Sequence, residues 1–269
     1  FQAYSRFYRL GWLEKLILAY LRFFHNRTLK TLVPTSKQRN WLEGHGFKRV
    51  SVLQRGIDRQ LFKPERRSAE LRASWGVTDN ETPVCLYVGR IANEKNVQLV
   101  GQTYAQLQSE FPELKLVMVG DGPARAGLEK QYPEILFAGM KTGEALAEHY
   151  ASADIFLFPS QTDTFGNVVL EAIASRLAVV AFNDAAANEI LSHEKDALLA
   201  EFGDDAAFSN HVRRLLENPT LLDSIRRTAH HRAESLGWDA IVEQFAHHLL
   251  DRDYTGGTNH ALQQDIRTH

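Results

Sequence analysis

Cysteine is almost missing from the chain. Its 269 residues hold only Cys85, inside an apolar run, which excludes an internal disulfide framework and suits a reducing compartment. Long apolar runs are missing as well. None approaches the ~20 residues that a membrane-crossing helix needs, and no signal peptide is recognisable, so a soluble cytoplasmic protein is expected. The histidines are scattered and have one cysteine for company, so no cluster has zinc spacing and no metal is expected. A Gly-x-Ser-x-Gly elbow is also absent. The first residue is Phe1 and the only methionines are Met118 and Met140, which leads us to expect a fragment of a longer protein.

What remains is ordinary for a globular protein with a real core: 44% apolar and 24% charged residues. The net charge of −2 hides an asymmetry, because residues 1–63 carry 13 Lys and Arg against 3 Asp and Glu, leaving 18 against 30 for the rest. A basic segment of this kind suits phosphates, nucleic acid or anionic lipid.

From Pro83 onward, short apolar runs alternate with helical stretches, the pattern of βαβ units around a parallel sheet. The expected strands are "VCLYVG" (84–89), "LKLVMVG" (114–120), "EILFAG" (134–139), "DIFLFP" (154–159) and "LAVVAF" (177–182). Each is nearly all apolar, as strands covered on both faces should be. Helices are expected near 96–110, 123–131, 143–151, 166–175 and 184–192, followed by "DALLA" (196–200) and three further helical stretches to about residue 250. Right-handed crossovers then imply a doubly wound sheet that binds ligands at the carboxyl ends of its strands. Residues 1–60 read as the last αβαβ segment of another α/β domain: a long helix to about Leu29, the strand "TLVP", a helix from Ser36 to His45 and the strand "VSVLQ" before "RGID". The tail after Tyr254 is low in apolar residues and is expected to be mobile.

Four loops lie at the edge where ligands are expected. In "FPSQTDTFGNVVLEAIAS" (158–175), the backbone of Phe165, Gly166, Asn167 and Val168 lies at a helix start, whose free N–H groups suit an anion. Glu171, a turn further in, is placed to accept hydrogen bonds from a diol such as a ribose, and Asp163 lies on the other side of the turn. A plain βα loop with two solvated carboxylates would look the same. "VGRIANEKN" (88–96) offers Arg90 and Lys95, a fork and a point charge able to hold a diphosphate, unless Glu94 merely pairs a neighbour. "VGDGPAR" (119–125) lacks the third glycine of the dinucleotide fingerprint and the Lys-Ser/Thr of a P-loop, so Gly120 and Gly122 read mainly as permissive backbone in a tight turn. "AGMKTGEAL" (138–146) puts Met140 and Lys141 just past a strand end, where main-chain groups could read a base.

Together "GRIANEKN", "VGDGP", "FPSQTDTFGNVVLEAIASRLAVVAF" and "AANEI" resemble the carboxyl-terminal domain of retaining glycosyltransferases of GT-B architecture, family 4, the group 1 glycosyl transferases. The resemblance runs from about Thr35 through Trp238. It implies an α/β, GT-B type fold with one complete Rossmann-like, doubly wound parallel-sheet domain over 63–250. Residues 1–62 would be the carboxyl-terminal portion of an amino-terminal acceptor domain, and 251–269 a flexible tail. It also implies that Glu171 holds the donor's ribose and that Asp163, where the family has a glutamate, faces the donor sugar. Arg90 and Lys95 would neutralise the leaving diphosphate, and the backbone from Phe165 to Val168 would hold phosphate and sugar hydroxyls. Met140 and Lys141 would lie by the base, with Gly89 and Gly120 at the strand ends completing the donor-binding set. The donor would be a nucleotide-diphosphate sugar, with no cofactor and no metal.

The acceptor is expected to be lipid-linked or a glycan. Trp12, Leu13, Leu16, Ile17, Tyr20, Phe23 and Phe24 form an apolar stripe ringed by Arg6, Arg9, Lys15, Arg22, Arg27 and Lys30, which suits a helix on anionic lipid at the inner membrane face; a helix packed on the rest of its own sheet would show the same stripe. With most acceptor loops missing, the chain is expected to bind donor but transfer sugar poorly or not at all. A GT-B epimerase or phosphorylase-like enzyme, or a non-catalytic nucleotide-binding domain, would share the same site. No RNA-binding aromatic motif is present, and no nucleic-acid partner is expected.

Overall fold

Two parallel sheets organise the residues that the computed structural model describes, which are 11–250 apart from residue 80 and residues 161–165. The smaller pairs β1 (Thr31–Val33) with β2 (Val50–Val52). It is flanked in sequence by α1 (Gly11–His25) and α2 (Ser36–Gly44). Leu18 and Leu21 of α1 and Leu42 of α2 close a small core over Val33, Phe47 and Val50. The stripe read from the sequence points elsewhere: Leu16, Tyr20, Phe23 and Phe24 are exposed. α1 is apolar on more than one face, so a stripe chosen by sequence alone does not say which face turns inward.

The larger sheet has six parallel strands in the order β5-β4-β3-β6-β7-β8. They are β3 (Val84–Val88), β4 (Lys115–Val119), β5 (Leu136–Gly139), β6 (Ile155–Phe158), β7 (Ala178–Phe182) and β8 (Ala197–Ala200). Five fall where apolar runs were expected, and "DALLA" supplies the sixth, at the edge. Strand order reverses between β3 and β6, which is the point where a doubly wound sheet opens a crevice.

The period of two along each strand divides the core. Val84, Leu86 and Val88 of β3 and Phe156 and Phe158 of β6 face one apolar layer, while Cys85, Tyr87, Ile155 and Leu157 face the other. The first layer is closed by α6 (Gly143–Ser152), α7 (Asn167–Ala174) and α10 (Pro219–Glu234), with Tyr150, Val169 and Ala229 turned inward. The second is closed by α4 (Val97–Gln108), α5 (Arg125–Gln131) and α9 (Asp205–Glu217) through Val100, Leu128 and Phe208. Each fully buried Val, Leu or Phe among them contributes about 1.5–3 kcal/mol of transfer free energy.

α3 (Ala69–Ser74) was not foreseen, because it is six residues long and offers no periodic apolar face. Its start is fixed instead by Ser68, whose hydroxyl accepts from the Leu71 N–H. α8 (Ala185–Ile190) touches the smaller lobe: the Ser36 N–H and hydroxyl both donate to the Glu189 carboxylate, at 2.9 and 2.8 Å, and Lys37 pairs with Asp184. A polar cleft of about 660 Å³ lies there, lined by these residues with Asn40 and Asn188. Last, α11 (Trp238–Leu250) runs back to the small sheet, where His248 Nε2 lies 3.2 Å from the Val52 carbonyl oxygen.

Candidate functional site

The loops that follow β3, β4 and β5 are stitched together by backbone. The Gly89 N–H donates to Val119 O, the Ile91 N–H to Asp121 O, the Ala124 N–H to Ile91 O and the Gly120 N–H to Gly139 O, all at 2.9–3.0 Å. A Cβ on Gly122 would lie 2.3 Å from Ile91 O. The glycines of "VGDGP" are therefore there for close approach of neighbouring loops, a reason that single-loop reading could not supply. They give Arg90 a rigid footing beside the switch point.

Arg90 is exposed and pairs with Glu94 at 3.0 Å, four residues on, while its carbonyl accepts from the Tyr87 hydroxyl at 2.9 Å. An ion pair this exposed contributes little, so a diphosphate can take the guanidinium from Glu94 at small cost. Lys95 closes a 3-10 turn, Asn93–Lys95, and Asn96 then turns left-handed, φ 53°, to start α4. Past β5, a bulge opposite Met118 and Val119 re-aims the strand end. Met140 is 69% exposed there, and Thr142 holds the N-cap position of α6 without making a side-chain cap bond.

Across the switch point, the chain leaves β6 and enters α7. Asp163 and Phe165 lie outside the described residues. Gly166 is the N-cap of α7 in the left-handed region, φ 66°, ψ 64°, and supplies no side-chain cap. The helix start therefore presents backbone N–H groups and the positive end of its dipole, with no acidic residue in the first turn. Glu171 follows Asn167 by four residues and so shares its helical face. It is half-buried, and that burial raises its carboxyl above the usual glutamate value, partly opposed by the nearby Tyr150 hydroxyl. Tyr150 is fully buried between Phe62 and Phe156, and its hydroxyl makes no bond of ordinary hydrogen-bond geometry, so its influence on Glu171 is that of a nearby polar group. Sequence reading missed Tyr150, since nothing in "AEHYASAD" marks it as facing a carboxylate 21 residues on.

A raised carboxyl sets a sign. Between the ordinary glutamate range and the raised folded value, the folded chain holds a proton on Glu171 more often than the unfolded chain does, so this residue's contribution to stability falls as pH rises through that window. Glu171→Gln is therefore expected to leave the fold at least as stable at pH 7 and to flatten that part of the stability profile. Urea midpoints at pH 4 and pH 7 measure it.

The site thus assembles two cations on one loop, a helix start without a side-chain cap among the described residues and a half-buried carboxylate one turn inside it, at the crevice of a doubly wound sheet. The profile of the family "Glycosyl transferases group 1" matches residues 82–218, which contain all of these groups. The chain belongs to the group 1 glycosyl transferases. Among named relatives it is similar to the sulfoquinovosyl transferase of Arabidopsis thaliana, with 32% identity over 87% of this chain and 47% of that protein. It is also similar to the GDP-mannose-dependent alpha-mannosyltransferase of Corynebacterium glutamicum, with 29% identity over 92% of this chain and 59% of that protein. The chain thus spans about half the length of these relatives. Anabaena HepE, solved in complex with UDP, shares the fold at a TM-score of 0.78 and 19% identity, over 89% of this chain and 68% of that one. These solved structures are GT-B glycosyltransferases, so the group 1 chain has the α/β, GT-B type fold that its motifs implied.

Proposed function

We propose that the six-stranded lobe is the donor half of a retaining, metal-independent glycosyltransferase of family 4, which moves a hexose from a nucleotide-diphosphate sugar, GDP-mannose or a UDP-sugar, to a lipid-linked or glycan acceptor. The observation that carries this reading is the pairing of Arg90 and Lys95 with the start of α7, whose N-cap is Gly166, across the switch point. Glu171 lies one turn inside that helix, where it can accept from vicinal hydroxyls. In this reading the diphosphate lies between the two loops and the ribose reaches Glu171. The base lies by Met140 and Lys141, and the donor sugar lies by the loop that carries Asp163. Arg90, Lys95 and the helix dipole stabilise the charge that develops on the diphosphate as the sugar leaves.

The relatives' names support the donor class: one acts with GDP-mannose, and a solved neighbour is held with UDP and glucose. A lipid-linked acceptor is supported by α1, whose exposed Leu16, Tyr20, Phe23 and Phe24 lie among Lys15, Arg22 and Arg27. No described helix is long and apolar enough to cross a membrane, so contact with lipid would be at the surface. Sedimentation with anionic vesicles tests that part; equal recovery with neutral vesicles removes it.

Calorimetric titration of the chain with GDP, UDP and ADP, without divalent metal, tests the donor site. One diphosphate is expected to bind, and Glu171→Ala and Arg90→Ala are each expected to weaken it by about 1.5–3 kcal/mol through loss of charge-assisted hydrogen bonds. Undiminished binding in both variants would refute the assignment.

A further inference from the structure

The first apolar layer holds a buried phenol beside the carboxylate that the donor site uses. Tyr150, in the last turn of α6, is fully buried. Its ring lies edge-on to Phe62 at 81° and tilted to Phe156 at 50°, with centroids 5.7 Å away in both pairs. The hydroxyl oxygen is shut off from solvent, and it lies near the Glu171 carboxyl, which α7 carries.

The phenol stands on fixed backbone. Arg67 Nη1 donates to Ala151 O at 3.2 Å and to Ala153 O at 3.1 Å, Arg72 Nη1 donates to Ser152 O at 2.9 Å, and the Ser152 hydroxyl accepts the Ser68 N–H at 3.0 Å. Beside it α7 is anchored by the buried Val169, Leu170, Ala172 and Ile173. Two side-chain torsions place a tyrosine hydroxyl, and here the packed ring settles both. Glu171 has one torsion more and is only half-buried, so its carboxyl is the group of the two that needs aiming.

A diol supplies the reason to aim it. An ionised carboxylate can accept from both hydroxyls of a diol with all its lone pairs, whereas a neutral carboxyl has a proton on one oxygen. Ionising a half-buried carboxyl costs desolvation. A buried O–H beside it offsets that cost and brings no second charge to compete with the ligand. The ionisable groups on the elements around α7 have other tasks. Tyr87 of β3, which acts on Tyr150, donates to Arg90 O at 2.9 Å. Glu189 of α8 accepts from Ser36, and His230 Nδ1 of α10 lies 2.9 Å from Ala174 O at the far end of α7. From β7, Ala178–Phe182 brings only apolar side chains.

We propose that Tyr150 is a positioning residue for Glu171: once nucleotide is bound, its hydroxyl donates to the ionised carboxylate and holds the remaining lone pairs toward the ribose hydroxyls. This rests on the donor-site reading above. It makes the ribose contact depend on a residue that does not touch the nucleotide.

The test compares wild type, Tyr150→Phe and Glu171→Ala, each first checked by thermal unfolding, in calorimetric titrations from about pH 5 to pH 8. The ligands are whichever of GDP, UDP and ADP binds and its 2′,3′-dideoxy analogue. Phenylalanine keeps the ring between Phe62 and Phe156 and removes only the hydroxyl. At pH 8 Tyr150→Phe is expected to raise the Kd of the diphosphate about three- to tenfold, the usual contribution of one hydrogen bond. Burial raises the Glu171 carboxyl and the Tyr150 hydroxyl opposes the rise. Without the hydroxyl the carboxyl rises further, so affinity should begin to fall toward acid at a higher pH than in wild type. The dideoxy analogue has the same phosphates without the diol, and should bind wild type and Tyr150→Phe within about twofold of each other. An unchanged diphosphate Kd or an unshifted pH profile in Tyr150→Phe, alongside a weakened Kd in Glu171→Ala, would overturn this proposal and leave the donor site standing. Equal losses for the two ligands in Tyr150→Phe would also overturn it, assigning Tyr150 to packing alone. If Glu171→Ala binds like wild type, the donor-site reading falls and this proposal with it.

Discussion

Replacing Gly120 by alanine is expected to cost the fold about 3 kcal/mol or more and to abolish nucleotide binding. A Cβ at this position would lie 1.9 Å from Gly89 O, well inside contact distance, and the obstacle is backbone that cannot rotate away. The residue also sits at φ 138°, where an L side chain is strained. Relief requires the β3 and β4 loops to part, breaking the bonds from Gly89 to Val119 and from Ile91 to Asp121. That displaces Arg90 with them. Gly127 supplies the contrast: it lies inside α5 with nothing within 4 Å of its added Cβ. Gly127→Ala should stabilise by up to about 1 kcal/mol through helix propensity. Urea denaturation of the two variants should move in opposite directions, and a Gly120→Ala protein with wild-type stability would contradict the loop geometry.

At the other end of the sheet, Asp154→Ala is expected to lose about 3–5 kcal/mol, the usual cost of leaving buried charge without its partner. The Asp154 carboxylate is 5% exposed and meets Arg67 at 3.1 Å, Arg72 at 3.2 Å and Arg226 at 3.4 Å. It also accepts the Val84 N–H at 2.9 Å, tying the amino ends of β3 and β6. Arg72 is itself 2% exposed, and burial pulls Arg226 below the usual arginine range, held back by the same aspartate. Removing the carboxylate strands those guanidinium groups, although backbone carbonyls still hold Arg67 and Arg72. Because this cluster lies at the strand ends opposite the crevice, the folded fraction should bind nucleotide with unchanged affinity. Thermal unfolding and titration together separate the two effects; a melting temperature within about 2 °C of wild type would refute the role given to Asp154.

The larger sheet was legible because its strands are apolar on both faces and separated by amphipathic helices of ordinary length, so "VCLYV" and "AVVAF" announce themselves. α3 was not, since Ala69–Ser74 is held by the Ser68 cap and the buried Arg72, neither of which has an apolar signature. Glu171, Arg90 and Lys95 could be picked out because a helix start after an apolar strand and cations after a strand's glycine carry chemistry in local sequence. Tyr150 and the Asp154 cluster depend on partners far along the chain, which only the fold brings near. "VGDGP" shows the middle case: its glycines were noticed, but their reason is the neighbouring loop's carbonyls.

The central claim is that a nucleoside diphosphate lies between the Arg90–Lys95 loop and the start of α7. A crystal structure of the chain with the diphosphate that binds in solution tests it most directly. The account predicts phosphate oxygens within hydrogen-bond distance of Arg90 and the α7 backbone N–H groups, and ribose hydroxyls on Glu171. A nucleotide seated elsewhere, such as the polar cleft between Ser36 and Glu189, with this crevice empty, would contradict it.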